Sequence, residues 1–388
     1  MSRTAQTFAP PVMEARRWIT GLEFPADRPL INVSQAAPVD PPPPPLLAEM
    51  ARLVTEVPET HLYGPVLGLG PLREEIAQQW SEAYGGSVAP SQVAITAGCN
   101  QAFAAAVSTL CDEGDEVILP VPYYFNHAMW LQMEGVRAVP LQTHAGLLPD
   151  ADEAAALIGP RTRAIALVTP NNPGGVEYPA ALVRAFFDLA RARGIALIVD
   201  ETYRDFDSRA APVHDLFGEA DWDDTLIHLY SFSKTYRLTG HRVGAMLSSP
   251  ARLAEAEKFL DTVAICAPQL GQHAALWGMR NLTRWKAGER AEILDRRAAL
   301  EEGIATLDGW DLLGCGAYFA YVQHPFDLPS NTAAERLVTE AGVLMLPGTM
   351  FRPEGDASAA RELRIAFANV DRAGIATLMD RLRAARLR

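Results

Sequence analysis

The chain of 388 residues is 49% hydrophobic and 21% charged, with a formal net charge of −13. That composition fits a soluble globular protein of two domains, or one large domain with an appendage. The acidic balance argues against a binder of phosphate backbones, which needs basic clusters, and there is no run of about 18 apolar residues to span a bilayer.

The N-terminal stretch MSRTAQTFAPPVMEARRW lacks the apolar core of a secretory signal, so a cytoplasmic location is expected. The run VDPPPPPLL at 39–47 reads as a stiff polyproline II spacer that ties an N-terminal arm to the body. Cys99, Cys111, Cys266 and Cys315 are scattered, without CxxC or a Cys/His cluster. They read as buried thiols, and no metal site is expected.

From about residue 90, short apolar runs alternate with helical stretches. VAITAG (93–98), EVILP (116–120), RAVPL (137–141), RAIALVTP (163–170), GIALIVDE (194–201), TLIHLYS (225–231) and VGAMLSS (243–249) read as strands. NQAFAAAVSTLC (100–111) and a segment at roughly 179–193 read as helices. Strands so uniformly apolar are buried on both faces, and the helices between them supply crossovers. The expected fold class is α/β, a mostly parallel central sheet flanked by helices. Ligands of such sheets sit beyond the C-terminal ends of the strands.

Five segments at those ends carry chemistry. ITAGCNQAF joins a strand to a helix start at Gly98, where free amides can hold a phosphate; a glycine there is equally a turn residue. VTPNNPGG has the composition of a turn. IALIVDETYRDF places Asp200 at the lip of the sheet with Tyr203 three residues on, though a lone Asp is also a common helix cap. YSFSKTYRLTGHRVG (230–244) sets Ser231 and Ser233 around Lys234, with Arg242 following. An exposed lysine is the ordinary alternative. ELRIAFAN alternates, with Arg364 opposite Leu363, Ile365 and Phe367; the arginine is either a fork for a carboxylate or the partner of a nearby Glu. As a set, an imine-forming amine, phosphate-binding hydroxyls and cation, and a carboxylate for a pyridine nitrogen make the inventory for pyridoxal 5'-phosphate.

In this order and spacing, Asn-Asn-Pro-Gly-Gly, Asp-Glu-Thr-Tyr, Ser-Phe-Ser-Lys with the arginine, and Arg-Ile-Ala-Phe resemble the class I/II aminotransferases of the pyridoxal phosphate fold-type I superfamily, over roughly residues 60–368. The resemblance implies that Lys234 carries the cofactor as an imine and later shuttles a proton. Asp200 would pair with the pyridinium nitrogen, and Asn172 and Tyr203 would bond the ring's phenolic oxygen. Gly98, Cys99, Asn100, Ser231, Ser233 and Arg242 would hold the phosphate, with Tyr124 stacked on the ring. Arg364, with Asn172 and Ala37, would bind the substrate. Tyr63, in HLYGPVLGLGPLREEIA, would reach a neighbouring subunit's phosphate, which implies a homodimer. The family's division would fall here as an N-terminal arm (1–45) joined to a small C-terminal domain (297–388), and a large cofactor domain (46–296).

Some positions depart from the family pattern. Gly174 replaces the usual threonine, and VSQAAPVD (33–40) replaces a glycine-containing arm. No Arg occurs from 253 to 279, and Asn100 stands where a lysine serves dicarboxylate enzymes. A neutral amino acid, aromatic or sulfur-bearing, is therefore the expected donor, with Phe125, Asn126, His127, Tyr318 and Phe319 as side-chain contacts, although Asn126 and His127 are equally read as loop residues bonded to backbone. The expected reaction is transfer of an amino group to a 2-oxo acid. A carbon–sulfur β-lyase on the same scaffold is the alternative, whereas a DNA-binding regulator would need a basic helix-turn-helix that the proline-rich first 40 residues do not supply.

Overall fold

A computed structural model describes residues 2–387. All seven apolar runs form strands of a single sheet. Across it lie Val93–Thr96, Gly244–Leu247, Leu226–Ser231, Ala196–Asp200, Thr162–Val168, Glu116–Val121 and Arg137–Gln142. Alternate residues of one strand enter different cores, as a period of two requires. Leu197 and Val199 pack with Phe186, Phe187 and Trp80, while Ala196 and Ile198 pack with Phe103, Leu131 and Leu260. Helices therefore cover both faces, and every residue of Ala196–Asp200 and Leu226–Ser231 is buried.

Pairing is parallel from Leu226–Ser231 out to Arg137–Gln142. Gly244–Leu247 runs antiparallel to both neighbours, in register with Thr96 on one side and Ser231 on the other at Gly244. The other six strands consequently end along one edge, at Thr96, Val121, Val168, Asp200, Ser231 and Gln142.

A four-stranded antiparallel sheet (Leu346–Pro347, Glu362–Ile365, Phe319–Gln323, Asp311–Gly316) packs against Thr283–Ile304 and Arg372–Ala384 through Ile293, Leu300, Ile375 and Leu378. Ile31–Asn32 pairs in parallel with Val343–Leu344, tying the N-terminal arm to the C-terminal segment. The helix Thr283–Ile304 runs unbroken through residue 296, so the boundary expected there falls within a helix.

Two local expectations give way. Pro44 and Pro45 open the helix Pro44–Glu56 and do not extend a polyproline spacer. The amides of a helix's first turn have no partner within the helix, so proline costs little there. The alternation of ELRIAFAN stops at Ile365, and Phe367–Asn369 forms a 3-10 turn.

Gly244 shows how tightly the edge is built. A methyl group there would lie 2.6 Å from the carbonyl carbon of Gly98 and 2.7 Å from the amide nitrogen of Cys99. Backbone cannot rotate away as a side chain can, so Gly244→Ala is expected to destabilise the fold by about 1–3 kcal/mol in urea unfolding.

Candidate active site

Beyond the strand ends lies a cleft of about 380 Å³. Its walls carry Arg16, Lys234, Arg242 and Arg364, against the single carboxylate of Asp200. In a chain whose net charge is −13, this local excess of cations marks a place built for anions.

Lys234 sits one turn past the Leu226–Ser231 strand, in the short helix Phe232–Thr235. Its Nζ donates to the carbonyl of Ala36 at 2.5 Å and stands 5.9 Å from the ring centre of Tyr203. Burial, with Arg242 and Arg364 nearby, pulls its pKa down to about 8. Ser231 and Ser233 both reach the cleft, although the strand ends between them. The turn is closed by the Ser231 hydroxyl accepting from the Ser233 amide at 3.2 Å.

Asp200 terminates its strand inside the protein, 4% exposed. Burial alone would raise its pKa, but His127 and Thr202 hold the carboxyl below its usual range. The Thr202 amide donates to Oδ1 at 3.0 Å, and His127 Nε2 lies 3.3 Å from Oδ2. His127 itself stacks on Phe103, with centroids 3.8 Å apart. It lies behind the acid and is absent from the cleft wall, which corrects its expected role as a side-chain contact. The sequence carried one usable signal: His127 lies three positions after Tyr124, in the first turn of Phe125–Glu134, and their rings meet at 5.1 Å.

Arg364 is 2% exposed and sandwiched between Phe319 and Phe351, its guanidinium carbon 4.8 Å from each ring centre. It donates to Asn172 Oδ1 at 2.9 Å and to the carbonyl of Ser34. Its Nε is buried without a partner, and among the described residues no carboxylate pairs with it. The carboxylate on its own strand, Glu362, is bound by Arg352 at 2.7 Å and 3.0 Å and by the Tyr321 hydroxyl at 2.8 Å. The alternative of an Arg–Glu surface pair is thereby removed. Burial lowers the Arg364 pKa to about 10.

At the phosphate-type corner, Gly98 precedes the helix Cys99–Leu110 with φ of 85°, and a side chain there would collide with the Arg242 guanidinium. Cys99 and Asn100 line the cleft beside Arg242. Tyr124 accepts from Asn126 Nδ2 at 2.8 Å and donates to Asn100 Oδ1 at 3.3 Å, which fixes its ring in the wall. Tyr203 and Asn172 complete the group.

Two further expected contacts, Ala37 and Tyr318, fall elsewhere, whereas Tyr63 is expected to serve a neighbouring subunit and not this cleft. Ala37 is not in the wall; Ala36, one residue earlier, is, because the chain turns there and offers its carbonyl to Lys234. Tyr318 packs behind Tyr203 and Phe206, with centroids 5.4 Å and 4.8 Å away. Tyr63 is 79% exposed, outside the cleft of its own chain. Conversely, Pro10, Val12, Met13 and Arg16 of the N-terminal arm enter the wall, and nothing in their sequence pattern announced it.

The lowered Lys234 pKa sets a pH dependence. Only the neutral amine attacks an electrophile, so the second-order rate at which Lys234 reacts with a small aldehyde should climb up to pH about 8 and then level. A rate still rising tenfold per unit above pH 9, as for a free lysine, would contradict the burial described.

Comparison with known proteins places the chain in a family. Residues 28–382 match the model of the family described as aminotransferase class I and II. The aromatic aminotransferase ISS1 of Arabidopsis thaliana is 31% identical over 360 residues, covering 89% of this chain and 86% of that protein. Among solved structures, the aspartate aminotransferase of Thermus thermophilus with maleate superposes with a TM-score of 0.89 at 24% identity, over 99% of both chains. Escherichia coli YbdL, identified with a methionine aminotransferase function, superposes at 0.88 with 25% identity, again over 99% of each chain. The chain belongs to the aminotransferase class I and II family.

Proposed function

We propose that this aminotransferase holds pyridoxal phosphate in the cleft and moves amino groups from a neutral amino acid, aromatic or sulfur-bearing, to a 2-oxo acid. The observation that carries the reading is the meeting of Lys234 and Asp200 in one cleft with the unpaired cation Arg364. The residues fit the cofactor. Gly98 leaves room beside Arg242 at a helix start, where backbone amides face outward for a phosphate. The orphaned Nε of Arg364 lacks an acceptor that a carboxylate would supply.

When bound, pyridoxal phosphate supplies an aldehyde for an amine and an electron-accepting ring. The chain's own groups do the rest. Lys234 presents a neutral amine near pH 8 and afterwards moves the proton at the substrate's α-carbon. Asp200, kept ionised by His127 and Thr202, holds a proton on the ring nitrogen. Asn172 and Tyr203 orient the ring's phenolic oxygen. Gly98, Cys99, Asn100, Ser231, Ser233 and Arg242 would hold the phosphate, with Tyr124 in the wall beside the ring. Arg364 binds the α-carboxylate, with Asn172 positioned by the bond between them.

The donor class is supported by Val12, Met13, Phe125 and Phe319 in the wall, and by the aromatic and methionine activities named for the two relatives. The exposed Leu62 and Tyr63, 63% and 79%, support a homodimer in which Tyr63 reaches the neighbouring phosphate. A large cofactor domain over about 46–296 and a small domain from the two chain ends follow the same reading. Among the described residues no helix is long and apolar enough to cross a membrane.

Two measurements test this. Mixing the cofactor-loaded enzyme with single amino acids should bleach the bound cofactor's visible absorbance most with aromatic or sulfur-bearing donors. Pyruvate released from cystathionine without an acceptor would instead mark a carbon–sulfur lyase. Arg364→Ala should weaken amino-acid binding on the order of 100-fold, about 2–3 kcal/mol for a charge-assisted contact, with a much smaller effect on cofactor affinity. Equal loss of both would remove Arg364 from the substrate site.

A further inference from the structure

Of the four cations in the cleft, three have a role in the proposed function, and Arg16 has none. It lies in the helix Pro11–Trp18, whose Pro11 and Ala15 are buried. Val12 and Arg16, one helical turn apart, both face the cleft. The neighbouring Arg17 is paired with Glu14 at 2.6 Å. Arg16 instead donates to a neutral acceptor, Gln35 Oε1, at 2.8 Å, and among the described residues it has no carboxylate partner. Gln35 also lines the cleft, and its carbonyl accepts from Asn369 Nδ2 at 2.5 Å, which fixes the segment that carries it.

We infer that Arg16 is the specificity-determining cation for the second carboxylate of a dicarboxylic 2-oxo acid acceptor. The inference rests on the proposed transamination, in which one cleft must receive donor and acceptor in turn. Arg364 at the buried end takes the carboxylate next to the reacting carbon. An acceptor with a second carboxylate directs it away from that end, toward the exposed mouth where Arg16 stands. A carboxylate is a stronger partner than the amide oxygen of Gln35, because a charge-assisted bond is roughly twice as strong as one to a neutral acceptor. With a neutral apolar side chain in the cleft, Arg16 keeps its bond to Gln35, and its aliphatic stem continues the surface of Val12 and Met13. The same wall thus serves an apolar donor and a doubly charged acceptor. No arginine in 253–279 and no lysine at position 100 is then required.

The test compares kcat/KM for 2-oxoglutarate and for pyruvate, with one amino donor, in the wild-type holoenzyme, Arg16→Gln and Arg16→Lys. The wild type should prefer 2-oxoglutarate. Arg16→Gln should lower the 2-oxoglutarate-to-pyruvate ratio on the order of 10- to 100-fold, chiefly through KM, and Arg16→Lys should restore part of it. A ratio unchanged by Arg16→Gln, or a wild type that turns over pyruvate and rejects 2-oxoglutarate, would overturn this inference while leaving transamination standing. A wild type that uses neither acceptor with any donor would overturn both.

Discussion

The structure turns on Arg364, a buried guanidinium with no carboxylate partner among the described residues. Taking such a charge out of water costs several kcal/mol unless it is paired. Elsewhere Arg352 is matched to Glu362, and Glu201 is contacted by Tyr84, His214 and His228. At Arg364 the compensation stops at one amide oxygen, one carbonyl and two aromatic faces. Lys234 repeats the pattern nearby, with a lone carbonyl for its amine. An anionic ligand that bridges this region supplies the missing charge, and its binding then stabilises the folded state by mass action.

The fold makes this placement possible because several strands end together. Six strands share a direction, so Gly98, Asn172, Asp200 and Lys234, far apart in sequence, arrive at one edge. Gly244, antiparallel between two of them, has no side chain and lets the Gly98–Cys99 backbone pack against it, while Gly98 leaves room for Arg242. The second sheet contributes Arg364, and the N-terminal arm adds Val12, Met13 and Arg16 to the wall. The site is thereby assembled from both ends and the middle of the chain.

Much of this was legible in the sequence. Apolar runs bounded by turn residues located every strand of the large sheet, since burial on both faces leaves an unmistakable composition. Residues of the cleft are legible where they sit just after such runs, as at Asp200 and Lys234. Contacts made through backbone carbonyls were not, because Ser34 and Ala36 carry no side-chain signal for accepting from Arg364 and Lys234. The direction of His127 is not legible in the sequence, because it depends on how Phe125–Glu134 packs on Phe103. Arg16 was missed for a related reason. A charged residue in an amphipathic arm looks solvated until the packing of Pro11 and Ala15 turns its helix toward the cleft.

The proposed chemistry requires the cofactor to be joined to one amine, that of Lys234. Reducing the cofactor-loaded enzyme with borohydride and mapping its peptides should place a single pyridoxyl phosphate group on the peptide containing Lys234. A label on another lysine, or no label on a fully loaded protein, would contradict it.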